Sequence, residues 1–141
     1  MLKWVDEFSV GHDRIDVEHQ FFIRLIEDFH KAMAAPLPRQ RLIRILREIH
    51  KFSVLHHYAE ENIMQDHHYP DFEKHKKLHT FLLDQLKEKI WELEEGSNTE
   101  ENIYEFLLDW YSLHNVNEDK KFQLFMQTPA GKSPGIGHRA E

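Results

Sequence analysis

Apolar residues return at steps of three and four along most of this chain, the period of a helix that hides one face. From Asp13 to Ala34 the stripe is Ile15, His19, Phe22, Ile26, Phe29 and Met33, and APLP (35–38) interrupts it. A second stripe, Leu42, Ile45, Ile49, Phe52, His56 and Ile63, predicts a long helix ending near Asp66. Tyr69-Pro70 breaks the chain again, because the residue before proline avoids helical angles while proline suits a first helical position. A third stripe carries Phe72, His75, His79, Leu82, Leu86, Ile90 and Leu93 to EEGSNTE, where Gly96 suits a helix end and Ser97 with Glu100 resembles a capping box. The fourth runs from about Thr99 to Gln127 through Ile103, Phe106, Trp110, Leu113, Leu124 and Phe125. There is no internal repeat and no strand signal.

Four segments of roughly 20–30 residues make rods of about 30–45 Å. Short connections favour antiparallel neighbours. The expected fold is therefore all-α, an antiparallel up-down-up-down four-helix bundle over residues 1–127, with an N-terminal arm whose Trp4 and Phe8 fold over one end. The remainder, TPAGKSPGIGHRAE (128–141), has no period and many small residues, and is expected to be a disordered tail.

At 141 residues the chain fits one domain with a real core. It has no cysteine, so disulfides and thiolate metal sites are excluded, and metal chemistry falls to histidine, carboxylate and water. A net charge of −7 argues against nucleic acid as a partner, since a phosphate-binding face needs clustered Lys and Arg. The opening MLKWVDEFSVGHD has no apolar h-region, and no apolar run approaches the roughly 18 residues of a membrane span. The expectation is a soluble, cytoplasmic protein whose partner is small or neutral.

Histidine changes the picture. Twelve are present, and each predicted helix sets at least one in its apolar stripe: His19, His56, His75 with His79, and His114. One buried histidine is ordinarily a core residue with its hydrogen bonds met. Five without partners would cost several kcal/mol, because an unpaired buried polar group loses its water at roughly 1–3 kcal/mol. A shared metal removes the difficulty. His75 and His79, four apart, project about 40° apart on a regular helix and can face one ion. In HHYAEEN (56–62) two pairs have that spacing, His56 with Glu60 and His57 with Glu61. Position 56 has Ile49, Phe52 and Ile63 about it, whereas position 57 has His50, Val54, Glu61 and Met64, so burial favours His56 with Glu60. In the fourth helix His114 has Glu118 four residues on and Asp119 five on. Regular spacing selects Glu118; Asp119, about 140° round, comes within reach if it bridges two ions from the side or if the helix has a π-bulge.

IDVEH (15–19), HHYAEENIMQDHHYPDFEKHKKLH (56–79) and WYSLHNVNED (110–119) stand in the order of the signature segments of the hemerythrin family. Across residues 4–126 the chain resembles that family, in particular the bacterial hemerythrins. Aligned on Met64, Tyr69-Pro70 and His75, the family pattern places the ligand pair at His56 and Glu60 and selects Asp119 over Glu118. The resemblance implies two non-haem iron ions (Fe2+/Fe3+) with an oxo or hydroxo bridge. His75, His79 and His114 would complete one iron, His19 and His56 would bind the other, and Glu60 and Asp119 would bridge both. On that pattern the second iron keeps one position open, which dioxygen takes and leaves unchanged. The implied function is reversible dioxygen binding for storage, delivery or sensing, without enzymatic turnover; any enzyme that receives the oxygen is unknown.

Two positions depart from the pattern. The resemblance assigns Trp110 and positions 57 and 115 to the wall of the oxygen pocket, but the usual aromatic and apolar residues are replaced by His57 and Asn115. A polar wall would either admit water and protons or hydrogen-bond the bound oxygen. The alternative reading is a di-iron enzyme that reduces peroxide or nitric oxide or activates dioxygen. Five neutral imidazoles disfavour it, since carboxylate-rich ligation is what reaches high-valent iron. A purely structural bundle leaves the ordered spacing unexplained. Of the remaining candidates, His30 and His50 read as surface or partly buried helix residues, and His67 and His68 as loop residues. EDFH (27–30) has the Glu-x-x-His spacing without a second copy. EKIWELEE (88–95) reads as a solvated face with Trp91 and Leu93 partly buried.

Overall fold

The computed structural model describes residues 2–132. Its helices are α1 (Asp13–Ala34), α2 (Arg39–Asp66), α3 (Phe72–Glu95), α4 (Glu100–Asp109) and α5 (Asp119–Met126), with a π-helical stretch, Trp110–Glu118, joining the last two into one rod. α1 packs against α2 and α4, α2 against α3, and α3 against α4. His19 lies near the start of α1, His56 and Glu60 in the second half of α2, His75 near the start of α3 and Asp119 late in the fourth rod, yet these residues meet. Neighbouring rods therefore run in opposite directions, the up-down-up-down arrangement the spacing predicts.

Local chemistry sets the helix ends. Asp13 and Asp16 in the first turn of α1 complement its positive pole, and Lys31 its negative one. α3 stops at Gly96, whose φ of 81° is left-handed and cheap only for glycine. Ser97 belongs to this stop, since its N–H and its hydroxyl both donate to Glu92 O. It is thus not free for the expected capping box; Thr99 caps α4 instead, its Oγ1 accepting from Asn102 N–H at 3.2 Å.

The core falls into two apolar parts. A large cluster contains Phe22, Ile26, Phe29, Leu46, Ile49, Leu86, Ile90, Leu93, Ile103 and Leu107. A small one at the opposite end joins Val10, Ile15, Met64, Tyr69 and Phe122. The buried histidines and carboxylates lie between them in sequence on every rod. On α2 the buried line is Leu42, Leu46, Ile49, Ser53, His56, Glu60 and Met64, whereas the expected Ile45, Phe52 and Ile63 flank it. In the fourth rod Tyr111 and Phe122 are buried, and the expected Leu113 and Leu124 are exposed. The π-helical turn changes the angle per residue there, so a stripe drawn at the α period drifts off the core.

The N-terminal arm does not cover an end of the bundle. Leu2 N–H donates to Glu27 Oε2 at 3.2 Å and Val10 N–H to Asp16 Oδ1 at 2.8 Å, so the arm runs antiparallel beside α1. Phe8 packs edge-on against Tyr111, ring centroids 5.2 Å apart. Glu27 also accepts from Tyr104 O–H at 3.1 Å, so the carboxylate of EDFH anchors the arm. Of the expected tail, residues 133–141 lie outside the described residues. Thr128–Lys132 form turns, and His67 Nδ1 bonds Gly131 O at 2.6 Å.

Candidate metal centre

Seven side chains from all four rods meet in a layer where none exceeds 4% exposure: His19, His56, Glu60, His75, His79, His114 and Asp119. Their ligating atoms form two groups able to hold an ion, each spanning no more than 4.8 Å. Glu60, His75, His79, His114 and Asp119 make one; His19, His56, Glu60 and Asp119 make the other. The carboxylates belong to both. Glu60 turns Oε1 to the Nε2 atoms of His75 and His79, at 3.1 and 3.0 Å. Its Oε2 faces those of His19 and His56, each at 3.7 Å. Asp119 turns Oδ1 to His75 and His114, at 3.1 and 3.6 Å, and Oδ2 to His19, at 2.9 Å. One oxygen for each group is what a bridging carboxylate needs.

Backbone geometry explains why Asp119 takes this place. Its N–H donates to His114 O, five residues back, so the π-helical turn brings i and i+5 onto one face. Glu118, the residue regular spacing selects, points to the surface and pairs with Lys121 at 3.1 Å. In HHYAEEN, burial does not separate the two histidines, both 2% exposed, but it does separate their carboxylates, since Glu60 is buried and Glu61 partly exposed. Orientation separates the rings. His56 aims Nε2 at Glu60, while His57 stacks flat on His79, centroids 3.8 Å apart.

Two more residues orient the rings. His56 Nδ1–H donates to Glu18 Oε1 and His79 Nδ1–H to Glu61 Oε2, both at 2.7 Å. A proton held on Nδ1 leaves the Nε2 lone pair facing inward, the tautomer a metal ligand needs, and the carboxylate raises its basicity. Each group of ligands contains one such pair. Spacing along one helix could not show these bonds, since the partners lie 38 and 18 residues apart.

The donor set fits cations. His19 Nε2, His56 Nε2, Glu60 Oε2 and both Asp119 oxygens are buried without a hydrogen bond among the described residues. The Nε2 atoms of His79 and His114 approach to 3.0 Å. Burial would raise the Glu60 carboxyl, but the neighbouring His19, His75 and His79 rings hold it well below the usual range. Burial and the Glu60 charge would likewise raise Asp119, yet His114, His19 and His75 hold it down. Two ionised carboxylates in a dry layer demand positive charge close by. Burial would lower His19 and His75, and Asp119 with Glu60 instead hold them up at about 9 and about 10. Burial pushes His114 down to about 3.

The expected pocket-wall residues are all buried: Trp110 at 3%, His57 at 2% and Asn115 at 1%. His57 lies against Trp110 and His114, with centroids 5.7 Å away in each case. Burial, then the neighbouring imidazoles of His79 and His114, push its pKa well down, so the ring is neutral. Among the described residues, His57 Nδ1 and Asn115 Oδ1 have no hydrogen-bond partner.

Residues 10–124 match the family described as the hemerythrin HHE cation binding domain. A bacteriohemerythrin of Stenotrophomonas maltophilia is 23% identical over 122 residues, covering 86% of this chain and 79% of the relative. One from Pseudomonas aeruginosa is 24% identical over 118 residues, 84% of this chain and 76% of the relative. A myohemerythrin of Theromyzon tessulatum is 25% identical over 121 residues, 86% and 90% of the two chains. Taken with a buried layer suited to paired cations, the match over most of its length makes this chain a member of the hemerythrin family.

Proposed function

We propose that this protein binds dioxygen reversibly at a di-iron centre, as a carrier for storage, delivery or sensing and not as an enzyme. One observation carries the reading: Glu60 and Asp119 each turn one oxygen to the three-histidine group and the other to the two-histidine group. When bound there, a pair of non-haem irons with an oxo or hydroxo bridge supplies reversible dioxygen binding. The chain's residues do the rest. Imidazole and carboxylate donors suit Fe(II). The group built on His19 and His56 has one nitrogen donor fewer, so the asymmetry favours a small ligand on that side. Phe22, Trp110 and Tyr111, all nearly buried, keep bulk water from the layer. Glu18 and Glu61 hold His56 and His79 in the ligating tautomer.

A second reading rests on the unpartnered His57 Nδ1 and Asn115 Oδ1. Polar atoms beside the centre suit a di-iron enzyme that reduces peroxide or nitric oxide. The test is to load the protein with iron, measure the metal, and alternate oxygen with vacuum while following visible absorption. Two irons per chain and a reversible colour are expected. Irreversible turnover with peroxide or nitric oxide replaces the carrier with the enzyme, and failure to bind iron removes both.

A further inference from the structure

The chain is acidic overall, yet residues 39–51 hold Arg39, Arg41, Arg44, Arg47 and Lys51 against a single acidic residue, Glu48. Part of this run lines a cleft of about 350 Å³ between α2 and α3, walled by Arg47, His50, Lys51, Lys87, Trp91 and Glu94. None of these residues belongs to the metal centre. Trp91, expected to be partly buried, is 58% exposed. Its indole lines the cleft and is largely open to solvent. Among the described residues the Lys–aromatic stacks are Lys76 on Phe72 and Lys89 on Phe106, so no cation covers the indole. Arg47 is held at the cleft edge by Glu94, 2.6 Å away, which fixes the guanidinium in place.

We propose that this cleft binds a mononucleotide, with the phosphate on Arg47, Lys51 and Lys87 and the planar base on Trp91. A guanidinium fork and two ammonium groups are the donors that suit a phosphate. A free indole face stacks on any heterocyclic base. The volume lies near the lower end of small-molecule sites, about 300–1000 Å³, enough for one base and one phosphate group. The acidic remainder of the molecule repels a polynucleotide, whose charge extends beyond the cleft, whereas a mononucleotide meets only the local field.

The test is to titrate the iron-loaded full chain with AMP, adenosine and inorganic phosphate separately, by calorimetry and tryptophan fluorescence at low salt. AMP is expected to bind with a Kd below about 1 mM and more tightly than either fragment. Trp91→Ala weakens it about tenfold, and Lys87→Gln about fivefold. Glu94→Gln strengthens binding, because Arg47 loses its competing carboxylate; a folding defect cannot imitate that gain. Circular dichroism and iron content stay at wild-type values. Absence of AMP binding at about 10 mM overturns the site. Phosphate binding as tightly as AMP, or Trp91→Ala leaving AMP unaffected, overturns the assignment to a nucleotide. Adenosine binding as tightly as AMP overturns the role of the cations.

Discussion

Replacing Glu61 with Gln tests whether the carboxylates behind the histidines control the metal. Glu61 accepts from His79 Nδ1–H at 2.7 Å, and its side chain is 14% exposed, so the pair is shielded though not sealed. An amide keeps the shape and one acceptor oxygen but loses the charge. A hydrogen bond to a charged group contributes about 1.5–3 kcal/mol and a neutral one about 0.5–1.5 kcal/mol, so the exchange removes about 1–1.5 kcal/mol. That is roughly a tenfold loss of metal affinity, the lower end of what outer partners of metal-bound histidines usually control. Glu18→Gln does the same to His56, across a bond of equal length, although Arg14 at 3.0 Å already draws on that carboxylate. The assay is release of iron from the loaded protein to a chelator in excess. Two phases are expected in the wild type, and the group with fewer histidines empties first. Glu18→Gln speeds the first phase about tenfold, and Glu61→Gln leaves it alone and speeds the second. If both variants quicken the same phase, or neither changes release, the carboxylates do not act through the histidines they touch.

Three further outcomes follow from the geometry. His57→Leu removes a buried ring whose Nδ1 has no partner, so unfolding free energy in urea holds or rises by about 1 kcal/mol, and the oxygenated form decays more slowly; an unchanged decay rate clears the ring of any part in autoxidation. The iron-free protein loses stability as pH rises, since His19 and His75 sit at about 9 and about 10 when folded against 6.5 for a freely solvated imidazole, so their contribution is full below 6.5 and fades through 9 and 10. Its urea midpoint should fall between neutral and alkaline pH, and less so with iron bound in place of those protons; a flat profile in the iron-free form contradicts the reasoning. Thr99→Ala removes the cap of α4 and lowers unfolding free energy by about 1 kcal/mol with iron content intact, and loss of iron would show that the cap reaches the metal layer.

What the chain discloses before folding depends on the range of the interaction that decides each feature. The ends of α1 and α2 and the stop at Gly96 are governed by neighbours within a few residues, and periodicity with turn chemistry finds them. The five central histidines are legible for a different reason: polar rings in apolar stripes on every rod need a common partner. Asp119 is not legible from spacing, because its position depends on the backbone passing into π-helix, which side-chain identity does not announce; only likeness to a family selects it. The same turn exposes Leu113 and Leu124, which an α period places in the core. Glu18 and Glu61 escape a reading of single helices because each answers a ring on another rod. The failures gather around the metal layer, where local regularity yields to the geometry of a shared centre, as expected when a functional site overrides local preference. A departure from regular helix that carries Asp119 N–H back to His114 O is therefore part of what builds that centre. A bundle needing only to pack would keep the α period through residue 119 and present Glu118 on the face that Asp119 now occupies.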